Sequence, residues 1–93
     1  PVPTHVFIGG SAGNLREIIQ TAIYKNPEVR IVATAVTLEG ISELTACMRE
    51  FPFVWTETVM LTVSRDRKVS DYHLLSGQNP ISIFSFQAGG ESI

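Results

Sequence analysis

The chain has 93 residues, 44% of them hydrophobic and 17% charged, and carries a net charge of −2 with an isoelectric point near 5.6. That length admits one domain with a modest core, the composition excludes a disordered chain, and the acidic balance argues against a nucleic-acid partner. Cys47 is the single cysteine, so an intrachain disulfide is excluded and a reducing cytoplasm fits best.

Residues 4–9 are short, apolar and β-rich, which predicts a buried strand. The loop "GGSAGN" follows, and then Leu15, Ile18, Ile19, Ala22 and Ile23 recur at helical spacing over 15–25. Asn14 with Glu17 three residues on has the pattern of a capping box, and Pro27 stops the helix. "VRIVATAV", residues 29–36, predicts a second strand whose apolar residues do not alternate, as in a parallel sheet covered on both faces. Thr37 is the next candidate cap, and Leu38, Ile41, Leu44 and Met48 mark a helix ending near Phe51–Pro52. Residues 53–64 and 80–87 predict two further strands. Between them "RDRKVSDYHLLSGQN" is a fifteen-residue loop, long enough to suggest a functional role or disorder. The tail 88–93 reads as frayed. No run reaches the ~18 apolar residues of a membrane helix, and no secretory leader is visible.

The order β-α-β-α-β-β contains two right-handed crossovers, so both helices fall on one face of the sheet. The other face of strands such as Val6–Ile8 and Arg30–Val36 then lies bare although the sequence keeps it apolar. With no initiator methionine and an apolar strand within a few residues of Pro1, the chain reads as a piece that begins inside a domain. That missing half, or else another chain, would cover the face, and the missing half is the favoured reading.

The glycine loop matches neither G-x-x-x-x-G-K-[ST] nor G-x-G-x-x-G, since its glycines stand at 9, 10 and 13. It still lies at the carboxyl end of a strand, before a helix N-terminus, where α/β sheets bind ligands. A tight turn with no ligand is the plainer alternative. In the long loop, Arg65, Arg67 and Lys68 suit carboxylates or phosphates. Asp71, Tyr72 and His73 add three side chains able to carry protons. A solvated charged turn is the alternative there. With two histidines and one cysteine a protein-built metal site is not expected. Cys47 reads as a small core residue, and Ser11 and Ser64 have no recognisable nucleophile context.

Together "FIGGSAGNL", "RIVATAVTLE" and "VSRDRKVSDYHLLSGQNPISIF" resemble the decarboxylating precorrin methyltransferase family of cobalamin biosynthesis, over roughly residues 5–86. The most specific part is S-R-x-R followed by Y-H-x-x-S-x-Q-N-P. The resemblance implies a class I, Rossmann-like S-adenosylmethionine-dependent methyltransferase fold. Residues 1–93 would form the C-terminal portion of its single domain, with strands four to seven in spatial order 4-5-7-6 and the last antiparallel. It implies C15-methylation of precorrin-6B or cobalt-precorrin-6B, coupled to loss of carbon dioxide from the C12 acetate. The main cofactor loop would lie upstream, so the 93 residues alone are expected to be inactive.

By position, the resemblance puts Gly9, Gly10, Ser11 and Gly13 near S-adenosylmethionine. It puts Asn14, Arg65, Arg67, Lys68, Gln78 and Asn79 on the tetrapyrrole substrate, and Tyr72 or His73 in proton transfer. Ala12 replaces a common glycine of that loop, and Thr34 a common asparagine. Expected partners are the tetrapyrrole, further copies of the chain (tetramers in the family) or a missing N-terminal half, with no membrane and no nucleic acid. Two other readings stand beside this one: a non-catalytic oligomerisation module, or a small nucleotide-phosphate-binding α/β protein.

Overall fold

The computed structural model describes residues 2–10 and 13–90. In chain order the elements are β1 (His5–Gly9), α1 (Leu15–Lys25), β2 (Arg30–Ala35), α2 (Leu38–Glu50), β3 (Phe53–Leu61), β4 (Ser64–Val69), β5 (Tyr72–Gly77) and β6 (Ile81–Ala88). β1, β2, β6 and β3 form one sheet in that order. β1 and β2 are parallel, and β6 runs antiparallel to both β2 and β3. This is the expected 4-5-7-6 arrangement.

Strand alternation explains where the core sits. Ile8, Ile31, Ala33, Ala35, Phe84 and Phe86 point to one side, where they meet Leu15, Ile19, Ala22 and Ile23 of α1 and Leu44 and Cys47 of α2. Phe86 is fully buried, with Phe53 stacked on it at 4.6 Å between ring centroids and Phe84 tilted at 6.1 Å. Burying each large side chain of this kind contributes about 1.5–3 kcal/mol. Arg16 and Glu50 join the two helices across 2.6 Å, an exposed pair worth at most about 1 kcal/mol.

The helix-free face is less apolar than expected. Phe7 is 69% exposed there, and Val32 and Ile83 lie on the same side by register. Polar Arg30, Glu57 and Gln87 interrupt them, and the Arg30 guanidinium sits 4.9 Å from the Trp55 ring centroid. That cation–π contact gives one corner of the open face a partner of its own.

Three local expectations change. Asn14 does not cap α1 with its side chain: its backbone, φ −116° and ψ 18°, lies outside the extended region a capping residue uses. Thr37, at φ −119° and ψ 157°, does cap α2, and its Oγ1 accepts the Gly40 N–H at 2.9 Å. The fraying expected for 88–93 does not reach its first residues. Ala88 is buried in β6, and the Gly89 and Gly90 N–H groups donate to the carbonyls of Pro52 and Pro27 at 3.1 and 2.7 Å. Residues 91–93 lie outside the described residues.

The largest departure is the fifteen-residue "loop". Residues 64–77 form a second two-stranded ladder, β4 with β5, closed by a turn at Ser70–Asp71 in which Ser70 adopts φ +58°. It prolongs the β3–β6 ribbon: between the pairs Leu61↔Ile81 and Ser64↔Gly77, two residues lie on one side and three on the other. That extra residue is a bulge in all but name, and the Gln78 N–H donating to the Val63 carbonyl at 2.8 Å bridges it. Every residue of β4 and β5 is exposed. The resulting arm raises the radius of gyration to 16.7 Å, against about 12 Å for a compact chain of this length.

Candidate active site

Topology brings the candidate residues to one edge of the sheet. β1, β2 and β3 point the same way, so the glycine loop after β1, the Val36–Thr37 segment after β2 and the arm after β3 all leave from their carboxyl ends. Ligands bind at this edge in open α/β sheets. A cleft of about 230 Å³ opens there, lined by Gly10, Thr34, Val36, Thr37, Gly40 and the core residues beneath them. Gly10 and Gly13 take φ of +61° and +88°, with open space where a side chain would project, so glycine lets the backbone turn and stay accessible.

The loop residues do not all face that cleft. Gly10 lines it, Gly9 ends β1, and Gly13 stands at the foot of α1. Asn14 instead lines a separate open groove beside α1 with Pro3, Val6, Glu17, Ile18 and Lys25. Ser11 and Ala12 lie outside the described residues. Gly40 belongs to the cleft although sequence reasoning passed over it. A Cβ there would come within 3.1 Å of both the Ala35 Cβ and the Thr37 Oγ1, so any side chain would press the first turn of α2 away from β2 by a few tenths of an ångström. A glycine three residues after a capping threonine was the available signal.

The arm sorts the second group of candidates by strand alternation. Arg65 pairs with Ser76, Arg67 with Leu74 and Val69 with Tyr72, which puts these six on one face. Asp66 pairs with Leu75 and Lys68 with His73, on the reverse. There the His73 Nδ1 lies 3.1 Å from Asp66 Oδ2 across the diagonal. Tyr72 and His73, adjacent in sequence, therefore stand on opposite sides. Gln78 and Asn79 are exposed at the base of the arm, in the segment joining β5 to β6.

Cys47 is buried away from this edge. Burial pushes its thiol pKa up, helped by the charges of Glu50 and Glu43 and opposed by Arg16. It is an inert core residue. Among the described residues no three histidine, cysteine or acidic side chains gather as metal ligands, and no helix is long and apolar enough to cross a membrane.

Residues 1–88 match the family model described as the precorrin methyltransferase domain. A curated relative from Methanothermobacter thermautotrophicus, a probable cobalt-precorrin-6B C(15)-methyltransferase (decarboxylating), is 32% identical over 77 residues. That match covers 82% of this chain and 40% of the relative. The crystal structure of a precorrin-6y C5,15-methyltransferase from Geobacter metallireducens superposes with a TM-score of 0.80 at 30% identity, covering 94% of this chain and 46% of that one. A precorrin 8W decarboxylase structure from Methanobacterium thermoautotrophicum gives 0.78 at 28% identity, over 91% and 47%. The chain thus spans under half the length of the relatives it matches, and its α/β architecture is part of a class I methyltransferase fold. With the model matched over nearly every residue and the strand order of the expected half-domain observed, the chain belongs to the precorrin methyltransferase domain family.

Proposed function

We propose that this chain forms the substrate-facing half of an S-adenosylmethionine-dependent methyltransferase that methylates precorrin-6B or cobalt-precorrin-6B at C15 and removes carbon dioxide from the C12 acetate. One observation carries the reading. The glycine loop and the basic arm, far apart in sequence, both leave from the carboxyl edge of the parallel strands, and the cleft lined by Gly10, Thr34 and Thr37 opens at that edge.

The cleft fits part of the cofactor. At about 230 Å³ it falls below the roughly 300–1,000 Å³ of complete small-molecule sites. Gly9, Gly10 and Gly13 would border the methionine end, with Thr34 and Thr37 opposite, while the adenosine would rest on a companion N-terminal segment. The cofactor supplies an electrophilic methyl group when bound. The chain's own task is positioning, which holds the accepting carbon in line, and binding of acetate and propionate carboxylates by Arg65 and Arg67 of the arm. Loss of carbon dioxide leaves its electron pair in the conjugated macrocycle, and the side-chain carbon then takes a proton. Tyr72, which shares a face with Arg65 and Arg67, would help deliver it.

The same reading covers the partners. The free edge of β1 and the open groove beside α1 would receive the N-terminal half, and the exposed arm would contact further copies of the protein in a cytoplasmic oligomer. A lone two-stranded hairpin is marginal in water, which supports an arm packed against something. The test is transfer of label from methyl-labelled S-adenosylmethionine to cobalt-precorrin-6B by this chain joined to an N-terminal half, with mass spectrometry of the product. A product that gains a methyl group and loses carbon dioxide is expected. The 93 residues alone should give none, and absence of methyl transfer by the joined protein would overturn the assignment.

A further inference from the structure

We infer that the arm reads its ligand with one face only, and that Arg65, Arg67 and Tyr72 form that face while Lys68 and His73 do not touch the ligand. The inference deepens the proposed function and rests on it for the class of ligand, a tetrapyrrole macrocycle edged with carboxylates. The register alone makes the partition. On the arginine face two cations stand two residues apart on one strand, about 7 Å along it, with no acidic side chain among Val69, Tyr72, Leu74 and Ser76. On the reverse, Asp66 offsets Lys68 and also engages His73 at 3.1 Å. Asp71 belongs to neither face, since it lies in the turn.

The two faces therefore differ by two formal charges with the histidine neutral, and a polyanion is drawn to one of them. Tyr72 and Leu74, 73% and 50% exposed, supply an aromatic and an aliphatic surface beside the guanidinium forks. Such a surface suits a tetrapyrrole with carboxylates at its rim, because each fork can hold a carboxylate bidentately while the macrocycle lies on apolar surface. Of Tyr72 and His73, only Tyr72 shares that face.

Uroporphyrin, a planar tetrapyrrole bearing acetate and propionate groups, is a stable probe, and fluorescence titration of the 93-residue chain reads its binding. Arg65→Gln with Arg67→Gln should weaken binding about tenfold or more, as expected for lost charge-assisted hydrogen bonds, and should flatten its salt dependence. Tyr72→Ala should weaken it by about threefold, whereas Lys68→Gln and His73→Gln should stay within about twofold. All five positions are exposed, and circular dichroism checks that each variant keeps its fold. Equal losses from the two faces, no loss from the arginine pair, or no binding by the wild type would each overturn the inference. The two proposals fail separately. Methyl transfer with equal losses from both faces removes only the face assignment, and arginine-face binding without methyl transfer removes only the reaction.

Discussion

The body of the protein and its arm are built on opposite principles. In the body, β1, β2 and β6 each press one row of side chains against two helices, and fourteen hydrophobic residues from Ile8 to Ala88 make one buried cluster. In the arm, β4 and β5 bury nothing, and even Leu75 is 81% exposed. The body is held by packing and the arm by its ladder and turn. Perturbations of the first should appear as global unfolding, and perturbations of the second as local opening.

The sharpest way to break that contrast is Phe86→Ala. It removes a fully buried ring from between Phe53 and Phe84 and should cost about 3–5 kcal/mol in urea unfolding. A loss under ~1 kcal/mol would mean that the stack is not the centre of the core. Next comes a matched pair at the two helix starts. Thr37→Ala should cost about 1 kcal/mol, whereas Asn14→Ala should leave the urea midpoint nearly unchanged, because only Thr37 accepts a capping hydrogen bond.

Smaller effects probe the arm. Ser70→Gly relieves a left-handed serine in the turn and adds glycine entropy to the unfolded chain, for a net gain of about 0.5 kcal/mol. That gain should slow amide exchange in residues 64–77 and leave exchange in β2 and β6 untouched. A uniform change across both regions would show that body and arm open together. The smallest effect is alkaline. The folded Cys47 thiol has its pKa raised above that of the unfolded chain, so its contribution is intact below the unfolded value and is lost as pH rises through the folded one. Urea midpoints should accordingly fall more steeply on the alkaline side of ~8.5 for the wild type than for Cys47→Ala.

Legibility from sequence followed the same division. Leu15, Ile19 and Ile23 repeat at helical spacing because one side of α1 is buried, and the predicted span 15–25 matches the helix. Arg65-Asp66-Arg67-Lys68 shows no period of two, because both faces of β4 meet solvent and nothing selects for alternation. A strand without a buried side leaves no hydrophobic signature, so the segment looked like a loop. Asn14 shows a second limit: its spacing to Glu17 satisfied the capping pattern, but the backbone entering α1 from the glycine loop does not adopt the capping conformation. Tyr72 and His73 show a third, since neighbours in sequence looked like neighbours in a site until the register separated them. The glycine loop was legible as a strand-to-helix turn at the carboxyl end of β1. Its division between a cleft lined by Gly10 and a groove lined by Asn14 depended on where α1 packs.

β1 carries one further consequence. It pairs with β2 on one side only, and His5–Gly9 contains no lysine or proline of the kind that blunts an exposed strand. Its outer backbone groups are a template for any extended segment that arrives, whether a covalently attached neighbour or a separately expressed one. For the same reason the protein's solubility when alone will depend on how concentrated its own strands become.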